Sequence, residues 1–278
     1  MTRSAGDGSF LAALRDAVRI RDCLALASVP AVAVAVFALP AERRESLAFV
    51  HRDPSMLTAY TAHFVHFDPA HLAANLLGYA LVVGFGYCLA ALSGYRRLFG
   101  VAAATYLLSF PPALSALNLA IPRNAVGYGL SGVNMAFARL LALVLVGYAG
   151  RLDDRIRVRH APGLFFAMTA VISLVTVPSR SGAPIALVSG LIAAGYVVSA
   201  RRTWRQRVPS RSARAGWLDA GLLGTIALVG YQFVGFGTTT VDGGVVNVYV
   251  HLLGFCLGFV VPYTALAAAG TDRGFLSD

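Results

Sequence analysis

Residues 129–149 read GLSGVNMAFARLLALVLVGYA. A serine flanked by small residues opens the stretch. The apolar run behind it, 131–149, carries one charge, Arg139. A helix that crosses a bilayer needs about 20 apolar residues, and this run comes close to that length. Two soluble readings of its start fail. Gly127-x-Gly129-x-x-Gly132 matches a dinucleotide-binding fingerprint, with Asp153 further on, but that motif needs a preceding strand in a soluble βαβ unit. The Gly-x-Ser-x-Gly elbow of soluble hydrolases is broken because Val133 stands where its last glycine belongs.

Working outward, seven further apolar runs appear: 23–39, 71–92, 98–121, 163–177, 183–199, 217–235 and 245–268. The fifth and sixth spans in chain order, 163–177 and 183–199, are short and joined by a turn from Pro178 to Gly182, so they read as a helical hairpin. Across its 278 residues the chain is 57% hydrophobic and 13% charged, with a mean hydropathy of +0.68. Soluble domains are about 45–50% apolar and about 25% charged, so disordered, fibrous and disulfide-scaffold classes are excluded. The expected fold class is an all-α, polytopic membrane helical bundle of about eight spans. The first outer loop, 40–65, reads as the longest irregular stretch and the one place for a small cap.

All 23 basic residues are arginine, and the net charge is +10. Most sit in short loops between apolar runs, which is the pattern that orients membrane proteins; nucleic-acid binding is not expected. With the N-terminus inside, clusters such as Arg15, Arg19 and Arg21, Arg151 to Arg159, and Arg201 to Arg214 all fall on the cytoplasmic side. Arg43, Arg44, Arg52, Arg123 and Arg180 fall outside. This predicts a cell-membrane protein with both termini cytoplasmic: an N-terminal segment 1–22, a membrane domain 23–268 and a tail 269–278. The run 23–39 reads as a retained span, because its small-residue cleavage site is poor. Arg139 predicts an ion pair or a snorkelling side chain. Cys23, Cys88 and Cys256 lie in apolar runs without metal or disulfide spacing.

Polar residues inside apolar runs point to chemistry. His66, His71 and Asn75 open the second span, Ser131 the fourth, and His251 the last. By parity these three spans run in one direction, so their polar starts share one depth near the outer face. His71 and Asn75 are four apart and share a helix face; Pro69 suits the first turn there. His251, Gly254 and Gly258 also share a face, where the glycines let a neighbouring helix approach. His63, His51 and His160 read as solvated or interfacial, and no metal or other cofactor is expected.

The set His66-x4-His71-x3-Asn75, Gly129-Leu130-Ser131-Gly132 and His251-x2-Gly254-x3-Gly258 resembles the rhomboid family of intramembrane serine proteases. The resemblance implies a six-helix core, here with an inserted pair at 163–199. It implies Ser131 as nucleophile, His251 as general base, and His71 and Asn75 as oxyanion-binding groups. His66, Gly129, Leu130, Gly132, Met135, Gly254 and Gly258 are the site-supporting candidates; His66 either contributes to the site or only hydrogen-bonds the loop. Met135 stands where the family has an aromatic ring packed on the base. The run 217–235 takes the place of the gate helix, and the loop 236–247 that of a cap. With no acid placed to orient His251, Asp242 being the nearest in sequence, a dyad is expected. The implied partners are transmembrane protein substrates and the lipid bilayer. The alternative is a non-proteolytic rhomboid-like helix-binding protein or a polytopic transporter.

Overall fold

The computed structural model describes residues 10–176, 179–205, 216–237, 240–241, 244–245 and 247–268. The tail 269–278, the first nine residues, Asp242 and the arginines at 207, 211 and 214 lie outside them. Among the described residues twelve α-helices run in the order α1 (Phe10–Ala17), α2 (Ile20–Phe37), α3 (Ala41–Leu47), α4 (Met56–Thr61), α5 (Pro69–Ser93), α6 (Arg96–Leu108), α7 (Phe110–Asn118), α8 (Ser131–Leu152), α9 (Ala161–Thr176), α10 (Ser179–Arg205), α11 (Trp217–Phe236) and α12 (Val248–Ala268). Strand β1 (Phe49–Val50) pairs antiparallel with β2 (Val126–Gly127), and β3 (Thr240–Val241) with β4 (Gly244–Val245).

Among the described residues seven helical stretches are long and apolar enough to cross a membrane. The expected span 98–121 is instead bent by 49° between α6 and α7. Ser109 ends the first helix, and Pro111-Pro112 sit in the first turn of the second. Proline has no N–H to give to the preceding turn but fits a helix start, so the run breaks there. Counted as one span, the bent pair brings the total to eight. The chain is thus an all-α, multi-pass membrane bundle.

Helix α8 is its axis. Most of its length is buried, and it touches α5, α6, α7, α9, α11 and α12. The tightest seam is with α12. A Cβ on Gly254 would run into the carbonyl of Gly132, and one on Gly258 into the backbone of Ala136. Only hydrogen at these two positions lets the backbones approach so closely. Helix α11 interlocks with α5 in a similar way: a side chain at Gly78 would strike Tyr231, and one at Gly224 would meet Leu89.

Three expectations are corrected. Segment 40–65 is not irregular: it folds as α3, β1, α4 and a 3₁₀ turn Ala62–Phe64. Short helices held by local caps, such as Ser55 accepting from the Thr58 N–H, leave no long apolar period to read. Of the expected turn Pro178 to Gly182, Ser179 onward belongs to α10, and Pro178 lies outside the described residues. Arg139 neither snorkels nor pairs with an acid among the described residues. It is fully buried, with its guanidinium carbon 3.6 Å from the Phe255 ring centroid and 5.0 Å from that of Phe165. Its nitrogens also reach the Phe165 carbonyl at 3.3 Å and the Met168 sulfur at 2.9 Å. Aromatic faces stabilise a desolvated cation, so the surrounding rings take the place of a carboxylate.

Candidate active site

Helices α5, α8 and α12 begin at the same end of the bundle. Helix α5 starts where the Asp68 carboxylate accepts the His71 N–H at 2.7 Å and Pro69 follows. Helix α8 starts at Ser131, behind a glycine turn. Gly129 has φ +100°, and its N–H donates to the Ala62 carbonyl at 2.9 Å. A Cβ there would also lie 3.0 Å from His71 Cε1. Glycine is therefore required twice at this point, for its backbone angle and for the imidazole beside it. Leu130 is fully buried behind the turn, and Gly132 leaves room for Val250.

Ser131 Oγ lies 2.7 Å from His251 Nε2, although 120 residues separate them. The other ring nitrogen, Nδ1, lies 2.5 Å from the carbonyl oxygen of Gly235. A carbonyl can only accept, so Nδ1 carries the proton and Nε2 of the neutral ring accepts from the serine hydroxyl. This is the tautomer that a general base needs. Among the described residues no acid orients the ring; a main-chain carbonyl at the end of α11 does so. The imidazole is nearly enclosed, while Ser131 is half-buried.

Phe236 completes the housing of His251. Its ring stands edge-on to the imidazole, 6.3 Å between centroids, and edge-on to Phe255 at 5.5 Å. Met135 does not take this role. It is fully buried, with its methyl end against Gly235 and its Cβ facing Gly254. The thioether thus fills space beside Gly235 and Gly254, near His251. Sequence reasoning missed both Phe236 and Gly235. An aromatic residue ending an apolar run carries no distinctive signal, and a carbonyl carries none at all.

His71 and Asn75 lie on the facing wall. His71 is half-buried, against Gly129, with its ring 5.7 Å from that of Tyr128. Asn75 is buried and donates one amide N–H back to the His71 carbonyl at 3.1 Å. A primary amide has two such hydrogens, so one donor remains. The first N–H groups of α8 have no partner within the helix and point to the same end. Asn134, fully buried one turn below, donates to the Asn75 carbonyl at 2.9 Å and ties α8 to α5. Together these groups can hold a negatively charged oxygen near Ser131.

The remaining histidines separate. His66 is fully buried with its ring 5.0 Å from His71, and its Nδ1 is 3.3 Å from the Phe64 carbonyl. Burial, and next the neighbouring His71, push its pKa down to about 4. His63 is not solvated: it is buried, with Nε2 2.9 Å from the Pro111 carbonyl and 3.2 Å from Ser115 Oγ. Burial lowers its pKa to about 4 as well. His51 is half-buried in a network with Ala125, Asn118 and Arg123, and His160 receives the Arg157 N–H at 3.2 Å. Among the described residues no group of three or more His, Cys, Asp or Glu is placed to hold a metal ion.

Comparison with protein-family models, curated proteins and solved structures finds no match to this chain.

Proposed function

We propose that the chain is an intramembrane serine endopeptidase that hydrolyses transmembrane helices near the outer membrane face through a Ser131–His251 dyad. The observation that carries this reading is the 2.7 Å contact between Ser131 Oγ and His251 Nε2, with Nδ1 committed to the Gly235 carbonyl. The motif resemblance to rhomboid proteases supports it.

In this mechanism Ser131 Oγ attacks a peptide carbonyl carbon while His251 Nε2 takes the hydroxyl proton. The imidazolium then returns that proton to the departing amine. Water, deprotonated by the same nitrogen, attacks the acyl carbon, and the imidazolium returns that proton to Ser131 Oγ as the acyl group leaves. The tetrahedral oxyanion lies against the free Asn75 N–H, His71 and the N–H groups at the head of α8. Each such donor is worth about 2.7–4 kcal/mol of barrier. A helical peptide bond is shielded by its own backbone, so the substrate unwinds locally before attack.

The test is cleavage of a model transmembrane substrate in liposomes, with fluorophosphonate labelling of the serine. Wild-type protein cleaves and is labelled at Ser131. Ser131→Ala and His251→Ala do neither. Near-normal cleavage by Ser131→Ala would overturn the proposal.

A further inference from the structure

Helices α9 and α11 both flank α8 and run in the same direction, yet they meet only sparingly. Between them lie two apolar hollows. One, of about 270 Å³, is lined by Val171, Ile172, Gln232 and Phe236 among others. The second, of about 490 Å³, is lined by Leu152, Leu164, Leu218 and Leu222 among others. They share Met168 and Val229, so they form one groove between α9 and α11, floored by α8 residues such as Leu145 and Tyr148 in its second hollow. From Leu218 to Phe236 the groove extends about 27 Å at 1.5 Å per residue, close to the ~30 Å hydrocarbon core. It is therefore as long as one membrane span.

Its upper end carries an unsatisfied polar group. Gln232 is 6% exposed, and neither its amide nitrogen nor its amide oxygen has a partner among the described residues. Burying such a group unpaired is costly. The oxygen needs a donor and the nitrogen needs an acceptor. A glycerolipid ester offers acceptors alone. An amide or hydroxyl side chain on a helix, or a locally unwound peptide group, offers both. Phe236 links the groove to the dyad, since it lines the upper hollow and packs on His251. The opposite flank of α11 is shut: Tyr231 fills the space over Gly78, and Leu89 that over Gly224.

We infer that the α9–α11 groove is the docking site for the substrate's transmembrane helix, with Gln232 pairing to a polar group one turn below the scissile region. This rests on the proteolytic reading above. The helical pair α9–α10 thereby has a role: α9 supplies one wall of the groove and α10 packs along its outer side.

The test places a photo-crosslinking amino acid at Val171 or Leu222 on the groove walls, or at Leu81 on α5. Each is made in the Ser131→Ala background and reconstituted with the model transmembrane substrate. Adducts with substrate form from Val171 and Leu222, and not from Leu81. In active protein, Gln232→Leu raises KM for that substrate about fivefold, the worth of one interhelical hydrogen bond, while fluorophosphonate labelling keeps its rate. Adducts from Leu81 alone, or adducts from the groove with lipid alone, overturn the assignment and leave the protease reading intact. Groove adducts with substrate, together with a parent protein that keeps Ser131 and is never labelled by fluorophosphonate, support helix docking and overturn proteolysis instead.

Discussion

The Gly235 carbonyl oxygen and the His251 Nδ1 lie 2.5 Å apart, joining the last turn of α11 to the first turn of α12. In many serine hydrolases a carboxylate holds the base. Here a neutral carbonyl fixes the ring's orientation and tautomer without adding charge. It offers less stabilisation to an imidazolium than a carboxylate does, so alignment of the ring carries more of the task. Alignment depends on α8, α11 and α12 holding their positions together. A displacement of the end of α11 by an ångström moves the His251 ring.

Phe236→Ala removes the ring that stands edge-on to His251. The imidazole keeps both hydrogen bonds but gains room to turn. Cleavage then loses about tenfold in kcat, equivalent to about 1.4 kcal/mol, with less than twofold change in KM for a short peptide substrate that does not fill the groove. Phe236→Leu restores part of the loss. Steady-state kinetics check this, and a change confined to KM would contradict it.

Gly254→Ala acts on the dyad through the backbone. Its new methyl group collides with the carbonyl of Gly132, the residue after Ser131. Helix α12 must move away, which stretches the 2.7 Å contact beyond hydrogen-bonding range. Fluorophosphonate labelling falls by at least tenfold. Gly84→Ala is the matched control, because nothing lies within 4 Å of its added carbon. Alanine there gains up to about 1 kcal/mol of helix stability and labels at the wild-type rate.

Spans were readable because lipid imposes a length: an apolar run near 20 residues has few other uses. Seven of the eight expected runs coincide with single helices, and the eighth, 98–121, bends where its own Pro111-Pro112 stand. Ser131, His71, Asn75 and His251 stood out because each is polar within an apolar run. Residues that act through shape or main chain did not. The Gly235 carbonyl leaves no mark in a sequence. His63 looked interfacial because its partners, Pro111 and Ser115, lie 48 and 52 residues further on. Arg139 suggested an ion pair because the rings that surround it come from α9 and α12, which only packing brings together.

Acid should destabilise the cap. His63 and His66 have folded pKa values near 4, against about 6.5 when unfolded. The unfolded chain therefore binds more protons between those values, and stability falls as the pH drops from 6.5 towards 4. At pH 5 each histidine accounts for about 2 kcal/mol. His63→Gln keeps an N–H donor for the Pro111 carbonyl but does not titrate. Thermal unfolding in detergent at pH 7.5 and pH 5.0 compares the two. Wild type loses more Tm on acidification than His63→Gln does; equal losses would exclude His63 as a source of the acid sensitivity.

Arg139 offers a sharper comparison, because two substitutions pull in opposite directions. The buried guanidinium stacks on Phe255 and bonds the Phe165 carbonyl, with its Nε unpaired. Removing a buried charge in favour of an apolar side chain of similar volume is often neutral or stabilising. Arg139→Met therefore retains the fold and near-wild-type fluorophosphonate labelling, with its thioether packing on the same rings. Arg139→Lys keeps the charge but exchanges a flat, weakly hydrated cation for a compact, strongly hydrated one. It is the less stable of the two by about 1–3 kcal/mol. Thermal unfolding of both variants in detergent ranks them. If lysine proved the more stable, the positive charge itself would be what the bundle needs, and an anion would have to lie within reach of α8.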